Sequence, residues 1–161
     1  MKKVLLLLLV VCFGFSFLAE TTHANSNYTV TSDSRYFDPA KGLYFLSGNV
    51  YVSAKGRSVT ANEATFDPTS LQVWAKGNVT FKQSNITMTG DSVYVIATQR
   101  RAEVSGNLHF IQGGVSITGN SGDYNWKSKI ATFKGNVVVN NNGQINNYDY
   151  IQYNVVENRF L

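Results

Sequence analysis

The sequence predicts an all-β protein built from a 29-residue repeat, and three observations support this. A Gly-Asn-aliphatic signature occurs four times at one constant interval. Apolar and polar residues alternate around each signature with a period of two, as in strands with one buried and one solvated face. No segment after the N-terminal leader has helical spacing. A constant period of this length is typical of stacked structural units. The signature glycines are Gly48, Gly77, Gly106 and Gly135.

The first 24 residues predict a cleaved signal peptide. Lys2 and Lys3 form a basic start, residues 4–18 are almost entirely apolar, and residues 22–24 offer small side chains at a cleavage site. The apolar run is shorter than the roughly 20 residues that span a bilayer as a helix. We therefore expect cleavage near Ala24, export, and a single domain over residues 25–161. Retention of the leader as a membrane anchor is the alternative.

Composition excludes several classes of protein. The only cysteine, Cys12, lies in the leader, so the exported domain can form neither disulfides nor thiolate metal sites. The formal net charge is +4, and the basic residues are spread along the chain, which argues against a nucleic-acid partner. A mild positive charge is still compatible with anionic lipid headgroups. We expect a domain that is stabilised by its own apolar core.

Each repeat predicts two or three antiparallel strands. With the signature glycine as position zero, positions −2, +2 and +4 are apolar in every copy and the residues between them are mostly polar. Turn residues follow at +6 to +8, as in residues 141–143, and a second alternating run begins at +9. That run closes at +18 with an aromatic or aliphatic residue, and two copies continue into Asp-Pro turns at Asp38 and Asp67.

An acidic or amide residue recurs at position +14 of the second run. Because Asp and Asn interchange there, we interpret the position as a turn or bulge residue that bonds the backbone, rather than as a general acid or a calcium ligand. The five residues are Asp33, Asn62, Asp91, Asn120 and Asp149.

The signature glycine predicts a bend within each layer. A glycine on the apolar face of a strand usually marks a bulge, a bend or a close backbone approach. The alternation keeps its phase from Leu46 through Gly48 to Val52, which favours a bend over the alternative of a hairpin turn. Repetition of the bend at every level predicts a curved or V-shaped sheet.

Three segments resemble the periplasmic lipopolysaccharide-transport family of the LptA/OstA-like type. Residues 33–38, 46–52 and 59–67 contain the patterns G-N-V and T-A-(D/N)-x-A-x-(Y/F)-D, and the resemblance extends over about residues 28–161. Residues 94–96 depart from it, with Tyr-Val-Ile where Phe-Asp is expected. The resemblance implies a half-open antiparallel β-jellyroll, a folded-over stack of short strands around an apolar trough. It also implies a protein that carries the lipid part of lipopolysaccharide through the periplasm and joins end to end into a bridge.

An apolar trough suits such a task physically. An acyl chain of about a dozen carbons costs on the order of 10 kcal/mol in water, at ~0.8 kcal/mol per methylene. A wall that repeats along the stack would shield the chain without one strong site, although the same side chains are also needed for a core. The residues predicted to contact lipid are Leu46, Val50, Val52, Val59, Val79, Phe81, Met88, Val104, Leu108, Phe110, Ile117, Phe133, Val137 and Val139.

Both ends of the repeat array are incomplete units. Residues 28–38 form the closing half of a unit, and residues 148–156 lead toward a fifth signature that the sequence does not reach. Incomplete layers predict unpaired strand edges, which would pair head to tail with another copy or with a jellyroll protein of the same pathway. The alternative is that residues 157–159 keep the edge solvated.

The sequence predicts no enzyme, no cofactor and no metal site. His109 is the only histidine after the leader, at an outward position, and no cysteine or second histidine accompanies it. Arg100 and Arg101, with Lys127 and Lys129, could meet phosphate or sugar acids at the trough rim, but a solvated basic turn is the favoured interpretation. The remaining alternatives are a membrane-anchored inner-membrane member of the same pathway and a purely structural β-repeat protein with a dry core.

Overall fold

The computed structural model describes residues 28–161, which form one open sheet of eleven antiparallel strands. A three-residue 3₁₀-helix, Ala97–Gln99, separates the sixth and seventh strands. The all-β prediction is confirmed, whereas the predicted leader lies outside the described residues. The strands are β1 (Tyr28–Thr31), β2 (Ser34–Asp38), β3 (Leu43–Ala54), β4 (Arg57–Asp67), β5 (Gln72–Gln83), β6 (Ile86–Ile96), β7 (Arg101–Gln112), β8 (Val115–Asn125), β9 (Ile130–Asn141), β10 (Gln144–Asn154) and β11 (Arg159–Phe160).

The sheet is a meander in which neighbours along the chain are neighbours in space. Strands β3 to β10 follow one another across the sheet, β11 covers the end of β10, and β1 and β2 both pair with β3. Residues 28–161 contain no helix that is long and apolar enough to cross a membrane. Local hairpins join the strands because two-residue turns with positive φ, such as Lys55-Gly56, match the twist of antiparallel pairs.

The Gly-Asn signatures form bulges in the middle of strands. In β3, Gly48 and Asn49 have φ values of +70° and +46°, and the pairing with β4 shifts register between Ser47 and Val50. The other three signatures have the same left-handed conformation and the same shift. The signature glycine predicted to bend the layer therefore lies at a bulge, and the hairpin alternative is wrong at this position.

The bulges divide the sheet into two arms that pack on each other. We call the part of the sheet around Leu46 the first arm and the part around Val50 the second arm. Phe110 of the second arm contacts Phe133 and Tyr153 of the first, at ring-centroid distances of 5.1 and 5.9 Å. Because β7 does not pair with β9 or β10, these contacts require a folded-over sheet. The architecture is the half-open jellyroll that the resemblance implied.

Four of the five residues at position +14, Asp33, Asn62, Asp91 and Asn120, lie against the glycine of the next bulge. Asp91 Oδ2 accepts a hydrogen bond from Asn107 Nδ2 at 2.9 Å, and Asp33 accepts the equivalent bond from Asn49. The predicted role at a bulge is found, but in these bonds the partner is a side-chain amide and not the backbone. The reason is the left-handed conformation of the signature asparagine, which turns its side chain toward the preceding strand.

Candidate functional site

The interior brings together every residue that the sequence predicts for lipid contact. All fourteen belong to one buried cluster and are at most 3% exposed. Inward positions of both arms supply them, because the two-residue period places alternate side chains on one face. In this structure they pack against protein, so they form a filled core, and contact with lipid stays a prediction.

The free ends of the two arms meet along a line that we call the seam. The Arg57 guanidinium, at the end of the second arm, lies 4.3 Å from the ring centroid of Trp126 at the end of the first. Further along, Gln112 Nε2 donates to the Val155 carbonyl at 2.8 Å. Gln112 is only 5% exposed, and its Oε1 atom has no hydrogen-bond partner within residues 28–161. The seam is thus held by side-chain contacts rather than by a strand ladder.

A small apolar cavity lies under Arg57. Its volume is about 50 Å³, which is room for no more than a few water molecules. Val52 and Val59 of the second arm and Phe66 and Val73 of the first are among the residues that line it. An acyl chain is larger than this space, so a lipid can enter the interior only if the arms move apart.

A separate, open pocket of about 400 Å³ lies outside the seam, beside the β3–β4 and β5–β6 hairpins. Its lining includes Lys55, Arg57 and Lys82, and no carboxylate of the described residues lines it. Burial lowers the pKa of the Arg57 guanidinium below its ordinary value, and the charge interaction with Tyr124 opposes that shift. The sequence had pointed to other basic residues, Arg100, Arg101, Lys127 and Lys129.

The sequence pattern nevertheless contains a signal for Arg57. Position +9 of the repeat holds Ile86 and Val115 in the second and third copies and Gln144 in the fourth, so Arg57 is the charged residue among the four. The sequence analysis did not single out Arg57, which directly follows the turn residues at positions +6 to +8. Only the fold shows that it lies across the mouth of the interior.

The basic residues that the sequence singled out are differently placed. Arg101 forms ion pairs with Glu103 at 3.1 Å and with Asp123 at 3.4 Å. Lys127 and Lys129 are exposed. Two carboxylates thus already neutralise Arg101, which agrees with a structural basic turn more than with an anion site.

His109 has a local structural role. Its Nε2 atom lies 2.9 Å from Ser116 Oγ on the neighbouring strand. Within residues 28–161 no group of three or more potential ligands could hold a metal ion.

The outer edge of β10 is open in the part of the chain that the structure describes. Residues 144–150 are all exposed, and β11 pairs only with Tyr153 and Asn154. Ile145 is 63% exposed on this edge. Asp149 holds the position at which Asp91 contacts a bulge, and no following strand in residues 28–161 supplies one. Such an edge can accept a further strand.

Comparisons with known proteins agree with the fold. The profile of the family described as "LptA/(LptD N-terminal domain) LPS transport protein" matches residues 58–159. Among solved structures, the chain is similar to LptH, the LptA-homologous periplasmic component of the lipopolysaccharide transport device from Pseudomonas aeruginosa. The TM-score is 0.64 at 21% sequence identity, over 68% of this chain and 83% of that chain. No curated protein sequence matches the chain.

Proposed function

Since the chain belongs to the LptA and LptD N-terminal-domain family of lipopolysaccharide transport proteins, we propose that it shields the acyl chains of lipopolysaccharide between its two arms. The observation that carries the proposal is the interior, to which every repeat contributes apolar side chains. Gln112 and Thr132 are the buried polar residues among those described, and no charged side chain is buried. A continuous apolar interior is what an acyl chain requires in an aqueous compartment.

Entry of the lipid requires separation of the arms at the seam. The contacts of Arg57 with Trp126 and of Gln112 with Val155 are made by side chains, so opening breaks these interactions and leaves the strand ladder of each arm intact. An acyl chain would then replace the lost contacts between core side chains, such as those of Phe110 with Phe133. Because every repeat presents similar side chains to the interior, the lipid could move along the stack of repeats without meeting one tight site.

Association end to end is the second part of the proposal. The exposed edge of β10 would pair with a strand at the β1–β2 edge of another copy or of another jellyroll protein of the pathway. Backbone hydrogen bonds in such a contact extend the sheet, and repetition of a head-to-tail contact produces an open chain of protomers. A chain of troughs would bridge the two membranes, and the periplasm is the compartment in which we place it.

Site-specific photocrosslinking tests the acyl-chain contact. We expect p-benzoylphenylalanine at position 110, which points inward, to crosslink to lipopolysaccharide upon irradiation. The same group at position 111, outward and adjacent, should give no more than background crosslinking, because Phe110 is 0% and Ile111 43% exposed. The measurement is the yield of the lipid-shifted band on gels of the purified protein. Equal yields at the two positions, or none at either, would contradict the proposal.

A single charge on the open edge should weaken self-association. We expect Ile145→Lys to lower the association constant about tenfold or more, because an edge lysine loses hydration when a strand is added. Ile111→Lys is the matched control, since Ile111 and Ile145 occupy the same outward row of the sheet on β7 and β10. Sedimentation velocity over a concentration series measures both variants. A strictly monomeric wild-type protein at high concentration argues against end-to-end association.

Two other functions remain as alternatives. A structural β-repeat protein with a dry core is favoured by the filled interior, and it predicts no crosslink from position 110. A membrane-anchored member of the same pathway would keep residues 1–24. N-terminal sequencing of the protein from cells distinguishes that case from a cleaved leader.

A further inference from the structure

The pocket outside the seam has the composition of an anion site. Lys55, Arg57 and Lys82 line it together with hydroxyl-bearing residues that include Ser53 and Ser58. None of the three cations forms an ion pair with a carboxylate within residues 28–161, whereas Lys76 is paired with a glutamate and Arg101 with two carboxylates.

Arg57 is held in place by bonds that leave part of its guanidinium available. Its Nε atom donates to Gln83 Oε1 at 2.9 Å, and its Nη1 atom donates to the Lys55 carbonyl at 3.2 Å. Nη2 donates to no other group in the described chain, and one face of the guanidinium covers Trp126. A guanidinium fixed in this way is preorganised for a phosphate or carboxylate oxygen.

The polar pocket and the apolar cavity adjoin each other. Ala54, Lys55, Arg57 and Ser58 line both spaces, so an anionic group beside Arg57 would have the mouth of the apolar interior directly below it. A ligand that uses both spaces must carry a negative head and an apolar tail.

We propose that Lys55, Arg57 and Lys82 bind the anionic headgroup of an amphiphile whose acyl chain enters the interior beneath Arg57. The headgroup chemistry is a phosphate or a comparable oxyanion. This inference deepens the proposed carrier function and rests on it. In this arrangement the headgroup is held at the point of the seam where the tail must pass.

Binding of three probes tests the inference. We expect dodecyl phosphate, below its micelle concentration, to bind about tenfold more tightly than dodecyl maltoside, which has the same tail and a neutral head. Inorganic phosphate alone should bind more weakly than dodecyl phosphate, because it gains nothing from the apolar space. Calorimetry gives the affinities, and amide chemical shifts in ¹H–¹⁵N spectra locate the site at residues 53–58 and 82–84.

Two variants and a control connect the affinity to these residues. The double variant Lys55→Gln/Lys82→Gln should weaken dodecyl phosphate binding about tenfold and leave dodecyl maltoside binding unchanged. Arg57→Ile, which restores the residue type of the second and third repeats, should also remove the preference for phosphate. The control is Lys76→Gln/Lys134→Gln, which lowers the net charge by the same amount at two exposed lysines that do not line the pocket. It should change the affinity for dodecyl phosphate less than about twofold.

The possible outcomes separate the two proposals. Equal binding of the two dodecyl probes, unaffected by the lysine variant, overturns the anion site and leaves the lipid carrier standing. Inorganic phosphate that binds as tightly as dodecyl phosphate indicates a free-anion site and overturns the link to the interior. Failure of both dodecyl probes to bind overturns the anion site together with its premise. Amide shifts confined to another surface also overturn it.

Discussion

Replacement of Phe110 by alanine should lower the free energy of unfolding by about 3–5 kcal/mol, the range for large aromatic-to-alanine changes in a core. The side chain is fully buried, and it contacts Phe133 and Tyr153 of the opposite arm. The substitution therefore removes both transfer free energy and the contacts that hold the arms together. Urea unfolding followed by circular dichroism measures the change.

The neighbouring residue provides the control for Phe110. Ile111→Ala, one position along β7, should cost less than about 1 kcal/mol, because surface substitutions away from special features have small effects. A similar loss for the two variants would contradict the assignment of inward and outward faces. An unchanged unfolding transition in Phe110→Ala would show that the arms are not packed through this ring.

Alanine in place of Gly106 should destabilise the protein by about 2–4 kcal/mol, which combines the cost of a positive φ with that of a steric clash. The φ of Gly106 is +74°, and a Cβ atom there would lie 2.3 Å from Asp91 Oδ2. The carboxylate must move, which breaks its bond to Asn107. The loss is again read from urea unfolding.

Gly56 separates the two contributions to that cost. Its φ is +76°, and a Cβ added there would meet nothing within 4 Å. Gly56→Ala should therefore cost only about 1 kcal/mol, the conformational part of the effect. If both glycine variants lose the same stability, the close approach of Asp91 contributes nothing and the proposed role of the position +14 residues is wrong.

The filled interior and the proposed cargo are compatible in energetic terms. Exposure of one buried aliphatic or aromatic side chain costs about 1.5–3 kcal/mol, and an acyl chain of a dozen carbons gains on the order of 10 kcal/mol from leaving water. Separation of the arms over one repeat exposes a few such side chains. The two quantities are of similar size, so a lipid can offset the separation of the arms. A closed interior without lipid also avoids an exposed apolar trough, which would favour aggregation.

Much of the fold could be predicted because the repeat displays each constraint four times. The alternation around Gly48 indicates strands and their inward faces, and its unbroken phase favours a bend within the strand over a hairpin turn. The partner of each bulge could not be predicted in the same way. The bond from Asn107 to Asp91 depends on the left-handed turn of the asparagine, which places its amide against the preceding strand, and sequence spacing does not show that direction.

The candidate site was only partly visible in the sequence. The inward residues were predicted from alternation, but whether they form an open trough or a filled core depends on how closely the arms approach. Arg57 shows the same limit on prediction from sequence. The repeat marks this residue as unusual, but only the fold shows that it lies at the seam.

The sequence by itself determined the strands, their buried face and the bulge at each signature, because these follow from local periodicity and from the conformational freedom of glycine. The tertiary structure alone decided that the arms close over the interior, that Arg57 covers Trp126, and that three cations with no carboxylate partner in residues 28–161 share one pocket. These are contacts between residues far apart in the chain, and only the folding of the sheet onto itself brings them together.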